Sequence, residues 1–390
     1  MLLPAGERGM SARKRRPRRQ KRRRGGSAGG MLFVVVLLAV IALYFYGSEE
    51  KSDQSKSTQP TPTQSASTQP APEQPAPTQS DPTPPASTPP APAQPASRPP
   101  NAPHLPAGNE VQVHFIDLGQ ADGILIRSAK NAVLIDGGEY KTRDILINYL
   151  KDAGITTLDY VVATHPHSDH IGGLAPVIRQ FDVKEVIMPD ATNNTRTFEH
   201  LLSAIEEKGL SITVPKVGDR ISAGAIKLTV LAPAKDFKDL NNASIVIRLE
   251  HGKTSFIFTG DAETPSEREM IASGLPLRSD VLKAGHHGSR TSTSGDFLDA
   301  VRPSIVVVTC AIGNSYGHPH KEFLERINQP GRNIALIRTD EEGTIILASD
   351  GREIKRRTPD GEKSLSLTGS LIEFKVKELL QSFGLQTPKR

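Results

Sequence analysis

The stretch T-H-P-H-S-D-H-I-G-G, residues 164–173, most constrains what this chain can become. His165, His167, Asp169 and His170 fall within six residues, between an apolar run at 160–163 that reads as a strand and a helix expected from residue 171. Neutral imidazole is the commonest protein ligand for zinc-like ions, and a carboxylate among imidazoles lets two adjacent cations share one site. A polar surface turn would account for a lone histidine, but not for four donors at H-x-H-x-D-H spacing. Gly172 and Gly173 are expected to let the backbone pass close to whatever is bound.

Around this centre the chain divides by composition. Residues 1–30 hold eleven Lys/Arg and one acid, so they carry +10 of a net +5 and everything after them sums to −5. The part that should do chemistry is mildly acidic and gives no basic footprint for tight, non-specific DNA binding. Residues 31–47 read as a transmembrane signal anchor. The uncharged stretch 25–47 would reach about 34 Å as a helix, against a bilayer core of about 30 Å. The basic side stays cytoplasmic by the positive-inside rule, which places the remainder outside the cell in a single-pass topology, with a cleaved signal peptide as the competing reading. Residues 48–108, a Pro/Ser/Thr/Gln-rich linker, cannot bury enough apolar surface to offset chain entropy and read as a disordered, extended stalk. Cys310 is the only cysteine, so no intramolecular disulfide forms, and its place at the end of an apolar run makes it a core residue.

From residue 109 to 351 the pattern is one α/β domain. Strands are expected at 111–116, 123–126, 132–135 and 160–163, helices at 142–152 and 171–180, a strand at 185–188 and a helix at 197–208. The second half repeats the theme: strands 227–231, 244–250 and 255–259, helix 265–272, strand 280–283, helix 295–301, strand 305–309, helix 321–327, then 334–338 and 344–348. Strands interleaved with helices in two halves suggest two sheets packed face to face with helices outside. The tail, 352–390, reads as a solvated loop followed by helix-like spacing at 371–385.

V-H-F-I-D-L-G-Q-A-D-G-I-L-I (113–126), L-I-D-G-G (134–138), N-N-A-S-I-V-I-R-L (241–249), F-T-G-D (258–261), L-K-A-G-H-H-G-S (282–289) and N-S-Y-G-H-P-H (314–320) follow in order with the histidine cluster. Together they resemble the metallo-β-lactamase superfamily, and within it the extracellular hydrolase domain of ComEC-type competence proteins. The resemblance implies a four-layer αβ/βα sandwich binding two divalent metal ions, zinc or alternatively manganese. It implies that His165 and His167 hold one ion, Asp169 and His170 the other, completed by one histidine of G-H-H-G-S, His287 favoured over His286, and that Asp261 bridges them. With His287 as the ligand, His286 would face the substrate, the reverse order being the alternative; Asp136 would orient a ligand from behind, and Asn241 or Asn242 would stand where many members place a further histidine. Asp169, His286 and His318 are the candidate catalytic residues, His318 for leaving-group protonation or phosphate contact. Lys283 and Arg290 would either offset phosphate charge or lie on solvated surface, and Ser289 would be a loop hydrogen-bonder.

The resemblance points to phosphodiester hydrolysis, with DNA as substrate and competence or DNA-uptake proteins as partners. The acidic domain also fits a phosphodiesterase acting on teichoic-acid, lipid or small-molecule phosphoesters. A non-catalytic cell-surface binding module is the reading of another class; it would be marked by eroded ligands.

Overall fold

The computed structural model describes residues 105–358 and 361–363. The basic segment 1–30, the anchor expected at 31–47, most of the linker expected at 48–108 and the helix expected at 371–385 lie outside the described residues. Among the described residues, no helix is long and apolar enough to cross a membrane.

Two large sheets form the frame. The first runs in spatial order Gly361–Lys363, Ile354–Thr358, Ile345–Ser349, Val111–Phe115, Ile124–Arg127, Ala132–Ile135, Tyr160–Val162, Val186–Ile187, Ile212–Thr213. The second runs Ala335–Arg338, Ile305–Val308, Val281–Lys283, Thr254–Phe258, Val246–His251, Ile226–Ala232, Arg220–Ala223. Each combines antiparallel pairs with a parallel block: Ala132–Ile135 beside Tyr160–Val162 and Val186–Ile187 in one, Thr254–Phe258 through Ala335–Arg338 in the other.

Side chains alternate across a strand, so an unbroken apolar run serves two cores at once. Ile124, Ile126, Val133 and Ile135 face the space between the sheets, where they meet Ile247, Phe256, Phe258, Val281 and Val307. Phe115 and Phe258 reach across it with ring centroids 6.2 Å apart. Leu125, Leu134 and Val161 turn the other way, onto the helices Arg143–Asp152, Leu174–Gln180 and Arg196–Glu207. Ile257, Leu282, Val306 and Val308 do the same for Thr264–Ala272, Gly295–Val301 and Lys321–Ile327. The order is helix, sheet, sheet, helix, as expected. Cys310 is fully buried in the second helical core, and burial pushes its thiol up to about 12.

Helix starts are fixed locally. Thr195 and Ser294 accept hydrogen bonds from the N–H groups of Phe198 and Phe297, three residues on. The expectation of a solvated loop after residue 351 is corrected: Ile354–Thr358 pairs antiparallel with Ile345–Ser349. A ladder needs only backbone groups, so a segment with one apolar residue in I-K-R-R-T can still join a sheet, and its charges suit a position near an edge.

Candidate metal centre

Parallel strands bring their carboxyl ends to one edge, and residues just past those ends meet there. Asp136 follows Ala132–Ile135, His165 follows Tyr160–Val162, Asp261 follows Thr254–Phe258, and His286 and His287 follow Val281–Lys283. The short helix Ser168–Ile171 then carries Asp169 and His170 back over the same edge. His165, His170, Asp136, Asp261 and His287 are all buried.

The rings are oriented from behind. His170 Nδ1–H donates to Asp136 Oδ2 at 2.8 Å, which turns Nε2 toward Asp261 Oδ2 at 3.2 Å and Asp169 Oδ2 at 3.7 Å. His287 Nδ1–H donates to the Thr309 carbonyl at 2.8 Å, leaving Nε2 3.4 Å from Asp169 Oδ2 and 3.6 Å from Asp261 Oδ1. Thr164 donates its hydroxyl to Asp136 and lies 3.2 Å from His165 Nδ1, as does Ser244. His165 Nε2 thereby faces His167 Nδ1 at 2.9 Å and Asp261 Oδ2 at 3.9 Å. The inward ring nitrogens of His165, His170 and His287 are the atoms a cation would take in place of a proton.

Among the described residues, His170 Nε2, His287 Nε2, Asp261 Oδ1 and Asn241 Oδ1 are buried polar atoms without a hydrogen-bond partner. Such atoms are costly unless something satisfies them. Asp169, His170, Asp261 and His287 each offer one donor, all within 4.8 Å of one another. This nitrogen-and-carboxylate set suits a divalent ion such as zinc or manganese. The electrostatics show how strongly the carboxylates draw positive charge to this spot. Burial alone would depress His170, but the carboxylates of Asp261, Asp169 and Asp136 hold it well above the usual imidazole range. Burial would raise Asp261, yet His170, His287 and His165 keep it well below the carboxylate range. His165, with burial foremost and His170 beside it, is pushed well down.

The profile of the Metallo-beta-lactamase superfamily matches residues 116–311, half of the chain, and spans every one of these donors. The chain belongs to the metallo-beta-lactamase superfamily. It is 32% identical over 256 residues to ComE operon protein 3 of Bacillus subtilis, covering 61% of this chain and 33% of that protein. Competence protein ComA of Neisseria gonorrhoeae is 31% identical over 244 residues, 61% of this chain and 32% of its own length. The chain thus spans about a third of the length of these curated relatives. Among solved structures, the metallo-beta-lactamase fold protein YhfI from Bacillus subtilis aligns with a TM-score of 0.43 at 14% identity, over 62% of this chain and 99% of YhfI. The chain is a metal-dependent hydrolase of this superfamily, related to competence proteins.

Within the superfamily site, the two histidines of G-H-H-G-S part company. His287 joins the donor group. His286 Nδ1–H instead donates to Glu263 at 2.8 Å, and its Nε2 borders the pocket 3.8 Å from Asp261 Oδ2. Both lie in left-handed backbone, φ 45° and 52°, a conformation that disfavours side chains by roughly 1–2 kcal/mol per residue. Asp136, also left-handed at φ 58°, sits behind the donors as a carboxylate for His170.

The N-N-A-S pair also divides. Asn241 lines the pocket, with its carbonyl oxygen unpartnered. Asn242 is occupied elsewhere: its oxygen accepts from the N–H groups of Glu263 and Ser266, and its nitrogen donates to Asp239.

Two expectations are corrected. Lys283 is neither a phosphate contact nor solvated; its fully buried ammonium pairs with Asp122 at 2.6 Å. Gly172 and Gly173 allow close approach of the chain's own backbone: an added Cβ would lie 2.3 Å from Tyr140 N and 2.2 Å from Gly137 O. Arg290 is exposed, and Ser289 does serve its loop, with its hydroxyl 2.8 Å from that of Thr291.

Sequence reasoning missed Asp122, Glu263 and Gln120. Asp122 and Gln120 stand inside the quoted G-Q-A-D-G, where proximity to a motif was the available signal. Glu263 carries no spacing signal, since its partner His286 is 23 residues away.

Proposed function

We propose that this chain is a binuclear phosphodiesterase acting on DNA, displayed outside the cell from a single N-terminal membrane anchor. The observation that carries the hydrolytic centre is the convergence of His170 Nε2, His287 Nε2 and Asp261 Oδ1, buried and without hydrogen-bond partners, beside a pocket of about 340 Å³ that His287, Asp261 and Asp169 line. Asp169, His170 and His287 would hold one ion and His165 with His167 the other, with Asp261 between. The competence names of the relatives favour DNA, and the pocket's size suits a phosphodiester with its flanking groups, not a duplex.

Paired divalent cations would supply Lewis acidity and an acidified water at neutral pH. The chain's own groups orient and exclude. Asp136 and the Thr309 carbonyl lock the rings of His170 and His287. Glu263 fixes His286 through its Nδ1–H and leaves Nε2 toward the pocket; burial would depress that imidazole, but the Glu263 hydrogen bond and Asp261 hold it above the usual range. Gln120 accepts from the Ala311 N–H and so turns its amide nitrogen to His318 Nδ1, 3.2 Å away. His318 then presents Nε2–H at the pocket. Burial, with His286 and His287, pushes it down to about 4, so at neutral pH it is an N–H donor to phosphate and not a proton source for the leaving group.

A second reading, a phosphodiesterase for small or cell-wall phosphoesters, is favoured by one observation: among the described residues, no Lys or Arg lines the pocket. Turnover of bis-p-nitrophenyl phosphate and of single-stranded DNA, with zinc or manganese, separates the two. DNA cleavage supports the first; hydrolysis of the small ester alone supports the second. Asp169→Ala and Asp261→Ala should each abolish turnover while leaving the circular-dichroism spectrum intact, and activity retained in either counts against the mechanism.

A further inference from the structure

Asp122 and Lys283 come from opposite halves of the domain, one from the loop before Ile124–Arg127 and the other from the end of Val281–Lys283. Both side chains are essentially inaccessible, at 1% and 0% exposure. An ammonium is almost never placed in such a position unless its charge is used.

The contacts of the pair all lead to the donor atoms. Asp122 Oδ1 takes the Thr309 hydroxyl hydrogen bond and lies 3.4 Å from His287 Nδ1; Oδ2 lies 3.9 Å from His170 Nδ1. Its main chain donates to the Asp169 carbonyl at 3.1 Å and accepts from Gly138 N–H at 2.7 Å, two residues past Asp136. Lys283 Nζ also donates to the Gly260 carbonyl at 3.2 Å, and that carbonyl receives the His286 N–H at 3.2 Å. Gly260 immediately precedes Asp261. Asp122, Asp136 and His170 themselves form a second buried cluster with metal-like spacing. The Lys283 ammonium already supplies a positive charge there.

We propose that Lys283 and Asp122 are a positioning pair: a fixed internal counter-charge that joins the two sheets beneath the site and holds Asp169, His287 and Asp261 in binding geometry. The inference rests on the metal reading above and adds to it the group that tunes the Asp169/His170/His287 half. Either charge alone would be uncompensated, so single substitutions confound folding with function. The double variant Lys283→Met with Asp122→Asn removes both charges and keeps an acceptor for Thr309. Thr309→Val deletes only the hydroxyl and spares the carbonyl that His287 uses.

The test is Mn²⁺ binding to the purified full chain by calorimetry, with circular dichroism and the thermal midpoint recorded alongside. In the folded double variant, one of two binding steps should weaken by about 10–100-fold, the range typical for partners behind metal ligands. Thr309→Val should weaken the same step severalfold. Parental affinity in both steps, in either folded variant, overturns the proposal. A parent chain that takes up no Mn²⁺ or Zn²⁺ overturns the metal reading itself and this inference with it, whereas parental binding with unaffected variants overturns the inference alone.

Discussion

His170 and Asp136 share a hydrogen bond of 2.8 Å in which neither side chain is exposed to solvent. Asp136 also accepts from the Thr164 N–H at 2.8 Å and from its hydroxyl at 2.7 Å, so one carboxylate fixes His170 directly and supports His165 through Thr164.

Asp136→Asn should therefore be disproportionately costly. An amide nitrogen facing Nδ1 would favour the wrong tautomer, putting the ring proton on the inward Nε2. The expected outcome is a loss of about 10–100-fold in metal affinity, read by metal titration, with little change in secondary structure.

His318→Gln tests the assignment of a neutral N–H donor. Since the ring is pushed down to about 4, its loss should reduce turnover equally for a substrate with a good leaving group, p-nitrophenolate, and for one with a poor alkoxide leaving group. A general acid would show a selective loss, about 10²–10⁴-fold, on the poor leaving group only. Comparing kcat on the two substrates decides it.

His114 predicts an acid sensitivity unrelated to catalysis. It is fully buried between Tyr149 and Gln112, and burial, with Arg127 adding to it, pushes it down to about 3. Between its unfolded value near 6.5 and that folded value, the unfolded chain binds a proton that the native state does not. Stability from this residue is thus complete above about pH 6.5 and falls with acidification at up to about 1.4 kcal/mol per pH unit. Urea unfolding of His114→Gln from pH 6.5 to 4 should show a slope shallower than the parent's by about that amount.

Gly173→Ala should destabilise the fold by about 1–3 kcal/mol, because the new methyl meets the Gly137 carbonyl oxygen, which is backbone and cannot rotate away. The backbone at Gly173 is ordinary, φ −89°, so the cost is contact alone. Gly209, with φ 63° and no atom near a new methyl, provides a control in which only backbone conformation is at stake.

The sandwich was legible because its strands are nearly continuous apolar runs between helical spacings, as at 132–135 and 305–308. The donors were legible because imidazoles and carboxylates cluster locally in H-x-H-x-D-H and G-H-H-G-S. What escaped was relational. Lys283 reads as a surface residue because lysine is ordinarily exposed, and only the fold shows Asp122 beside it, 161 positions earlier in the chain. The short strands Thr157–Leu158 and Asp182–Val183 are two residues each and leave almost no periodic signal. Glu263, which holds His286, lies just beyond the quoted F-T-G-D.

The strand ends that supply Asp136, His165, Asp261 and His287 become neighbours only once both sheets have formed. A peptide copied from the histidine-rich stretch would carry fewer than all of the donors and should chelate weakly. Ion uptake is therefore a reporter of completed tertiary assembly, and stripping the ion with a chelator should lower the melting temperature of the whole domain instead of loosening one loop.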